Sequence, residues 1–241
     1  MTDVTGGLTG VVFAVFLVDW LAVGFSWRKV EVVFKPLSML MVILWTLAAS
    51  GWAFDLLLIL LLVAQLAGLT GDVLLLLSPR WFLLGLGAFL IGHLVYIGLL
   101  GAQIHLAVRA GGLQAGWVGW LALVVVLFAV MLALFYHFIA PKSPRLTMPL
   151  TLWIPIQVYG WILGGLVIAS LLVTITAKSV TLPVLFLPLG ALLFFVSDSL
   201  LAYDRYKRKM PKIRVWIMIT YHLAQFCLAA GFLATMGFIG V

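Results

Sequence analysis

Long apolar runs alternate along the chain with short segments that collect the charges, prolines and glycines. Continuous runs of this kind, bounded by turn-forming clusters, predict helices near residues 8–25, 36–50, 54–77, 81–107, 117–139, 149–176, 182–203 and 213–239. Most approach the ~20 residues that an α-helix needs to cross the hydrocarbon core of a bilayer. The alternation of a β-barrel strand, lipid-facing on one side and lumen-facing on the other, is absent from them. The first run follows MTDVTGG, which carries no basic region, and continues to Phe25 without an obvious cleavage site, so it reads as a retained helix rather than a signal peptide. The expected fold is therefore all-α, a polytopic bundle of eight transmembrane helices filling residues 1–241 as a single domain.

Composition sharpens this picture. With 66% hydrophobic and 9% charged residues and a mean hydropathy of +1.29, the chain stands far from a soluble domain, for which about 45–50% and about 25% are usual. The single cysteine, Cys227, excludes an internal disulfide, and with only four histidines a Cys-rich zinc or iron–sulfur site is excluded too. Placing the charges gives the chain a direction. The segments after helices 1, 3, 5 and 7 hold Arg28, Lys29 and Lys35, then Arg80, then Lys142 and Arg145, then Arg205, Lys207, Arg208, Lys209, Lys212 and Arg214, twelve of the 14 basic residues. Only Arg109 and Lys178 fall on the other side. Positive charge collects in cytoplasmic loops, which predicts a cell-membrane protein with both termini outside and the basic loops in the cytoplasm.

Four ionisable residues, Asp19, Asp72, His93 and Asp198, interrupt the apolar runs, and each is costly in hydrocarbon unless paired or hydrated. At ~1.5 Å per helical residue, Asp72 and Asp198 lie ~9 Å from the basic end of their helices, while Tyr159, Tyr221 and His93 lie ~12–18 Å deep. Gln65, Gly68 and Asp72 share a helix face, as do His93 and Tyr96, and Tyr221 and Gln225. One polar cavity opening to the cytoplasm accounts for all of them. The plainer alternative is interhelical hydrogen bonding, worth about 0.6 kcal/mol per bond, and it suits Gln65, Gln225 and His93 better than the aspartates. Asp19 is intermediate, with Arg28, Lys29 and Lys35 as available partners. The segments Gly71-Asp72 and Ser197-Asp198 each precede a basic loop and a helix bearing Tyr or His, an echo that would relate halves 1–110 and 115–241 as parallel repeats. Serine-hydrolase chemistry lacks a G-x-S-x-G elbow, and His93, His105, His137 and His222 lack zinc-hydrolase spacing.

The residues also carry a resemblance. Gly190 through Asp198 followed by Thr220-Tyr221-His222-Leu223-Ala224-Gln225, with Lys35-Pro36-Leu37, Gly71-Asp72, Gly92-His93 with Tyr96, and Pro155 with Tyr159, resembles the YhhN family of integral membrane proteins. The first helix, and Asp19 with it, carries none of these motifs. The resemblance implies an eight-helix hydrolase like the family's animal lysoplasmalogenases, cleaving the vinyl ether of a lysoplasmalogen to a fatty aldehyde and a glycerophospho-base. Protonating a vinyl ether needs one carboxylic acid and one anionic stabiliser, and two carboxyls in a low-dielectric cavity have their pKa values driven apart, which selects Asp72 and Asp198 as the catalytic pair without saying which is which. Tyr159, Tyr221, His93 and Tyr96 would hold the carboxyls, the water or the substrate. Gln225 would meet the glycerol, and Lys35 or the 205–214 segment the phosphate. The expected partners are a lysophospholipid substrate and membrane lipids, with no nucleic acid and no metal or organic cofactor. Two alternatives use the same residues differently: a small lipid, amine or proton-coupled transporter, and a structural membrane subunit whose aspartates are all paired.

Overall fold

A computed structural model describes residues 3–111, 117–139, 150–177, 180–206 and 209–239; Lys142, Arg145, Lys178, Lys207 and Arg208, which entered the charge argument, lie outside the described residues. Eight helices follow in order: α1 (Asp3–Gly24), α2 (Arg28–Ala49), α3 (Leu56–Leu77), α4 (Phe82–Arg109), α5 (Trp117–Ile139), α6 (Leu150–Thr176), α7 (Leu182–Tyr206) and α8 (Ile213–Thr235), with one 3-10 turn, Pro79–Trp81, ahead of α4. Seven are long and apolar enough to cross a bilayer, and α5 contributes an apolar stretch, Leu121–His137. The chain is a multi-pass membrane protein. Its outward faces agree, because Val11, Leu17, Leu40, Ile91, Val126 and Trp161 are all exposed, as lipid-facing positions require.

The packing order departs from the chain order at two places. Helix α4 packs on α6 rather than α5, which stands outside against α6 and α7. Helix α8 is central, touching α1, α2, α3 and α7, and its residues Ala224–Leu233 form a nearly continuous buried run. The α7–α8 contact is close because each helix offers a glycine to the other: Gly190 faces the backbone at Leu228, and Gly231 faces the backbone of Leu187.

One boundary corrects the expectation. The start of α2 is Arg28, not residue 36, so Pro36 lies inside the helix instead of opening it. Proline favours the first turn because it lacks an N–H, and the polar stretch before it looked like loop. The added turns are stable because their charges are paired: Glu31 is held by Arg28 and Arg214, and Lys35 by Asp72. At the other end of the chain α8 stops at Thr235 rather than 239, where Gly237 adopts φ +82° and turns the backbone out of the helix.

Candidate functional site

At the end of the bundle that carries Arg28, Arg205 and Arg214, a cavity of about 180 Å³ opens between α2, α3, α4, α7 and α8. Asp72 of α3 and Asp198 of α7 both line it, together with Lys35, Tyr221, Phe89 and Ser197. The residue before each aspartate explains how it is aimed. A Cβ at Gly71 would strike the ring of Phe89, so glycine lets that ring close over the turn that presents Asp72. Ser197 donates from Oγ to the Ile217 carbonyl at 3.1 Å, which ties the Asp198 turn of α7 to α8. Close contact of α3 with α4 also depends on Gly92, whose Cβ would lie 3.0 Å from the Ala64 carbonyl.

The two carboxyl groups have different partners. Asp72 is 1% exposed, accepts from Tyr221 Oη at 2.7 Å on Oδ2, and has Lys35 Nζ 3.3 Å from Oδ1. Asp198 accepts from the Tyr159 hydroxyl, and among the described residues no Lys or Arg forms an ion pair with it. Asp198 and Tyr159 also border a narrow apolar cleft with Phe82, Leu86, Phe135, Ile156 and Ala202; Phe82, Asp198 and Leu201 line both spaces. Asp198 thus stands where a polar chamber meets an apolar one.

The remaining residues named from the sequence lie beneath the cavity. His93 donates from Nδ1 to the Phe89 carbonyl at 2.5 Å, leaving buried Nε2 without a hydrogen-bond partner among the described residues, and its ring meets Phe194 edge-on at 4.3 Å and Tyr159 at 5.8 Å. Tyr96 donates to Gln225 Oε1 at 3.2 Å. Gln65 donates to Thr46 Oγ1 at 2.8 Å, an interhelical bond joining α3 to α2. None of Tyr96, Gln225, His93 or Gln65 lines the cavity.

The sequence does not mark Glu31 or His222 as a site residue, and it leaves the partner of Asp19 open. Glu31 is only 3% exposed, and Arg214 and Arg28 meet one of its oxygens, Oε1, at 2.5 and 3.2 Å. A pair at (i, i+3) in Arg28-Lys29-Val30-Glu31 was the available signal, though it is also common on solvated helix faces. On the other side of α2, Asp19 is fully buried and pairs with neither Arg28 nor Lys29; its nearest ionisable partner is His222 Nε2, 4.0 Å away. Trp20 Nε1 donates to His222 Nδ1 at 3.1 Å, which directs Nε2 toward Asp19. Asp19 also lies within electrostatic reach of Lys35. No group of three or more potential metal ligands occurs among the described residues.

The buried pair makes a prediction about stability. Removing one partner of a buried ion pair costs about 3–5 kcal/mol because the other charge is left without compensation. Lys35→Met should therefore lower the unfolding temperature in detergent markedly. Adding Asp72→Asn should restore most of the loss; equal melting of the single and double variants would contradict a charge effect.

Comparison with known proteins places the chain in a family. The YhhN family model matches residues 30–232, from the start of α2 through nearly all of α8. The chain belongs to the YhhN family. The match takes in Asp72 and Asp198 and leaves out Asp19. The chain is 28% identical over 215 residues to Lysoplasmalogenase TMEM86B of Mus musculus, covering 88% of this chain and 78% of that protein. It is 32% identical over 175 residues to a protein named Lysoplasmalogenase from Mycobacterium bovis, covering 71% of this chain and 59% of the relative. It is 29% identical over 204 residues to an uncharacterized membrane protein YhhN of Shigella flexneri, covering 81% of this chain and 85% of that one. No solved structure matches this YhhN-family chain.

Proposed function

We propose that this chain hydrolyses the vinyl ether bond of lysoplasmalogens, releasing a fatty aldehyde and a glycerophospho-base. One observation carries the reading: two buried carboxyl groups share a cavity, and among the described residues Asp72 forms an ion pair with Lys35 while Asp198 forms none. The relatives named lysoplasmalogenase support the same reaction.

A vinyl ether is cleaved by protonating its β-carbon. Asp198, whose partner is a neutral phenol, supplies that proton from its carboxylic acid. The π electrons form the new C–H bond, and the α-carbon becomes an oxocarbenium ion. Asp72 remains a carboxylate beside the Lys35 ammonium, an anion in place to stabilise the cation and accept a proton from water as it adds. The hemiacetal then returns its hydroxyl proton to Asp198 as the carbon–oxygen bond breaks, and Asp72 passes its proton to the departing glycerol oxygen. Both carboxyl groups end as they began. Tyr159 and Tyr221 fix the two groups through their hydroxyls. The cleft beyond Asp198 is apolar but holds only about 20 Å³, so the hydrocarbon chain would have to part its walls to enter, with the reacting bond at the junction of the two spaces. The basic end of the bundle faces the cytoplasm of the cell membrane on this reading, following the charge distribution.

The test presents purified protein with 1-alkenyl and 1-acyl lysophospholipids of matched chain length. Aldehyde from the first and no fatty acid from the second is the expected result. Fatty acid release alone would overturn the vinyl ether assignment. Lipid or proton flux in proteoliposomes without any hydrolysis would replace it with transport.

A further inference from the structure

The cavity mouth holds more positive charge than its acids require. Arg28 opens α2, Arg205 lies in the last turn of α7 and Arg214 in the first turn of α8, and all three line the cavity with Lys35 and Asp72. Two of the guanidinium groups converge on a single oxygen of Glu31, and more than half of each of those arginine side chains is exposed while Glu31 is buried. Arg28 donates in addition to the Leu76 carbonyl at 2.7 Å. Arg205 has no carboxylate partner among the described residues; its guanidinium lies over the Phe82 ring at 4.8 Å, at the border shared with the apolar cleft.

A guanidinium offers a planar fork of N–H donors that suits two acceptor oxygens at once. Two arginines on one carboxylate oxygen leave much of that capacity unused. A phosphate group, with several oxygens, can take both forks and reach Arg205 as well. We propose that Arg28, Arg205 and Arg214 form a phosphate-binding mouth, and that Glu31 occupies the arginines in the phosphate's place when the mouth is empty. The ligand chemistry is a phosphate ester or free phosphate. Choosing a lysophospholipid headgroup as its source rests on the function proposed above.

The consequence has an unusual sign. An arginine that binds phosphate should weaken the ligand when removed, whereas removing the internal competitor should strengthen it. The experiment measures binding of a saturated 1-alkyl lysophospholipid, which carries the phosphate but no cleavable vinyl ether, beside 1-alkylglycerol, which lacks the phosphate. Both are presented in detergent to the full chain and to variants that elute as folded monodisperse protein. Arg28→Gln, Arg205→Gln and Arg214→Gln should each raise the Kd of the phospholipid about tenfold, as expected for loss of a charge-assisted hydrogen bond, and leave that of alkylglycerol unchanged. Glu31→Gln should lower the phospholipid Kd. Where Glu31→Gln does not fold, Arg205→Gln carries the test, since among the described residues no ion pair depends on it.

Inorganic phosphate serves as a competitor. Displacement of the phospholipid supports a site open to free phosphate, and absence of displacement supports one confined to the lipid-borne ester. Equal changes for the two lipids across the arginine variants would overturn the proposal, as would weaker phospholipid binding in Glu31→Gln. Because the probe is not hydrolysed, these results stand whether or not the protein releases aldehyde, and failure of the reaction is read separately in the wild-type assay.

Discussion

Asp198→Asn is expected to abolish aldehyde release from an alkenyl lysophospholipid while leaving a folded protein. A positioned general acid contributes about 10²–10⁴-fold to rate, and asparagine keeps the shape of the side chain but cannot donate an acidic proton. Asp72→Asn should also be severely impaired, since it removes the anion opposite the developing cation and leaves the buried Lys35 ammonium uncompensated. Tyr159→Phe, which retains the carboxyl and loses only the phenol that orients it, should cost less than either. Deuterium checks the chemical step. In heavy water the product aldehyde should carry one deuterium on the carbon next to its carbonyl, because that hydrogen comes from the acid and the acid exchanges with solvent. Wild-type-like turnover in Asp198→Asn would end the assignment of this residue, and a product without deuterium would end carbon protonation altogether.

The largest structural effect is expected from one methyl group at the α7–α8 seam. In Gly231→Ala the new Cβ would lie 2.5 Å from the Leu187 nitrogen and 2.6 Å from its Cα, both backbone atoms that cannot rotate away. Relief requires the helices to separate, and overpacking of this kind costs typically about 1–3 kcal/mol or more. The loss should appear as reduced folded yield and a lower unfolding temperature. Gly98→Ala is the matched control, because nothing lies within 4 Å of a Cβ at that exposed position. Equal stability of the two variants would show that the seam tolerates separation.

The number of helices was legible because bilayer thickness imposes a length on every apolar run, and the eight runs in the sequence match the eight helices. Their packing order was not. Helices such as α5 and α6, apolar on nearly every side, carry no face that names a neighbour, so neither the α4–α6 contact nor the central place of α8 was readable. The aspartates at 72 and 198 stood out because a carboxyl in an apolar run has few structural uses, and the structure brings both to one cavity. Pro36 suggests a helix start and so puts Lys35 at a helix mouth; in the structure Lys35 is inside α2 and 5% exposed. Glu31 was missed because its partner Arg214 lies 183 residues away in the chain. His222 faced the same obstacle, being 202 residues from the Trp20 indole that orients it. Side-chain pairing at such separations leaves no local trace.

The central position of α8 governs when the cavity comes into existence. Ribosomes deliver α8 after the seven other helices, yet Tyr221, Ile217 and Arg214, which close one side of the chamber, all belong to it. Until it arrives, Asp72 lacks its phenol and Glu31 lacks its strongest guanidinium contact. The Lys35–Asp72 pair joins α2 to α3, so these two charges compensate each other without any residue of α8. A nascent chain halted before α8 would lack Tyr221, Ile217 and Arg214, so the chamber cannot be complete until α8 has been inserted.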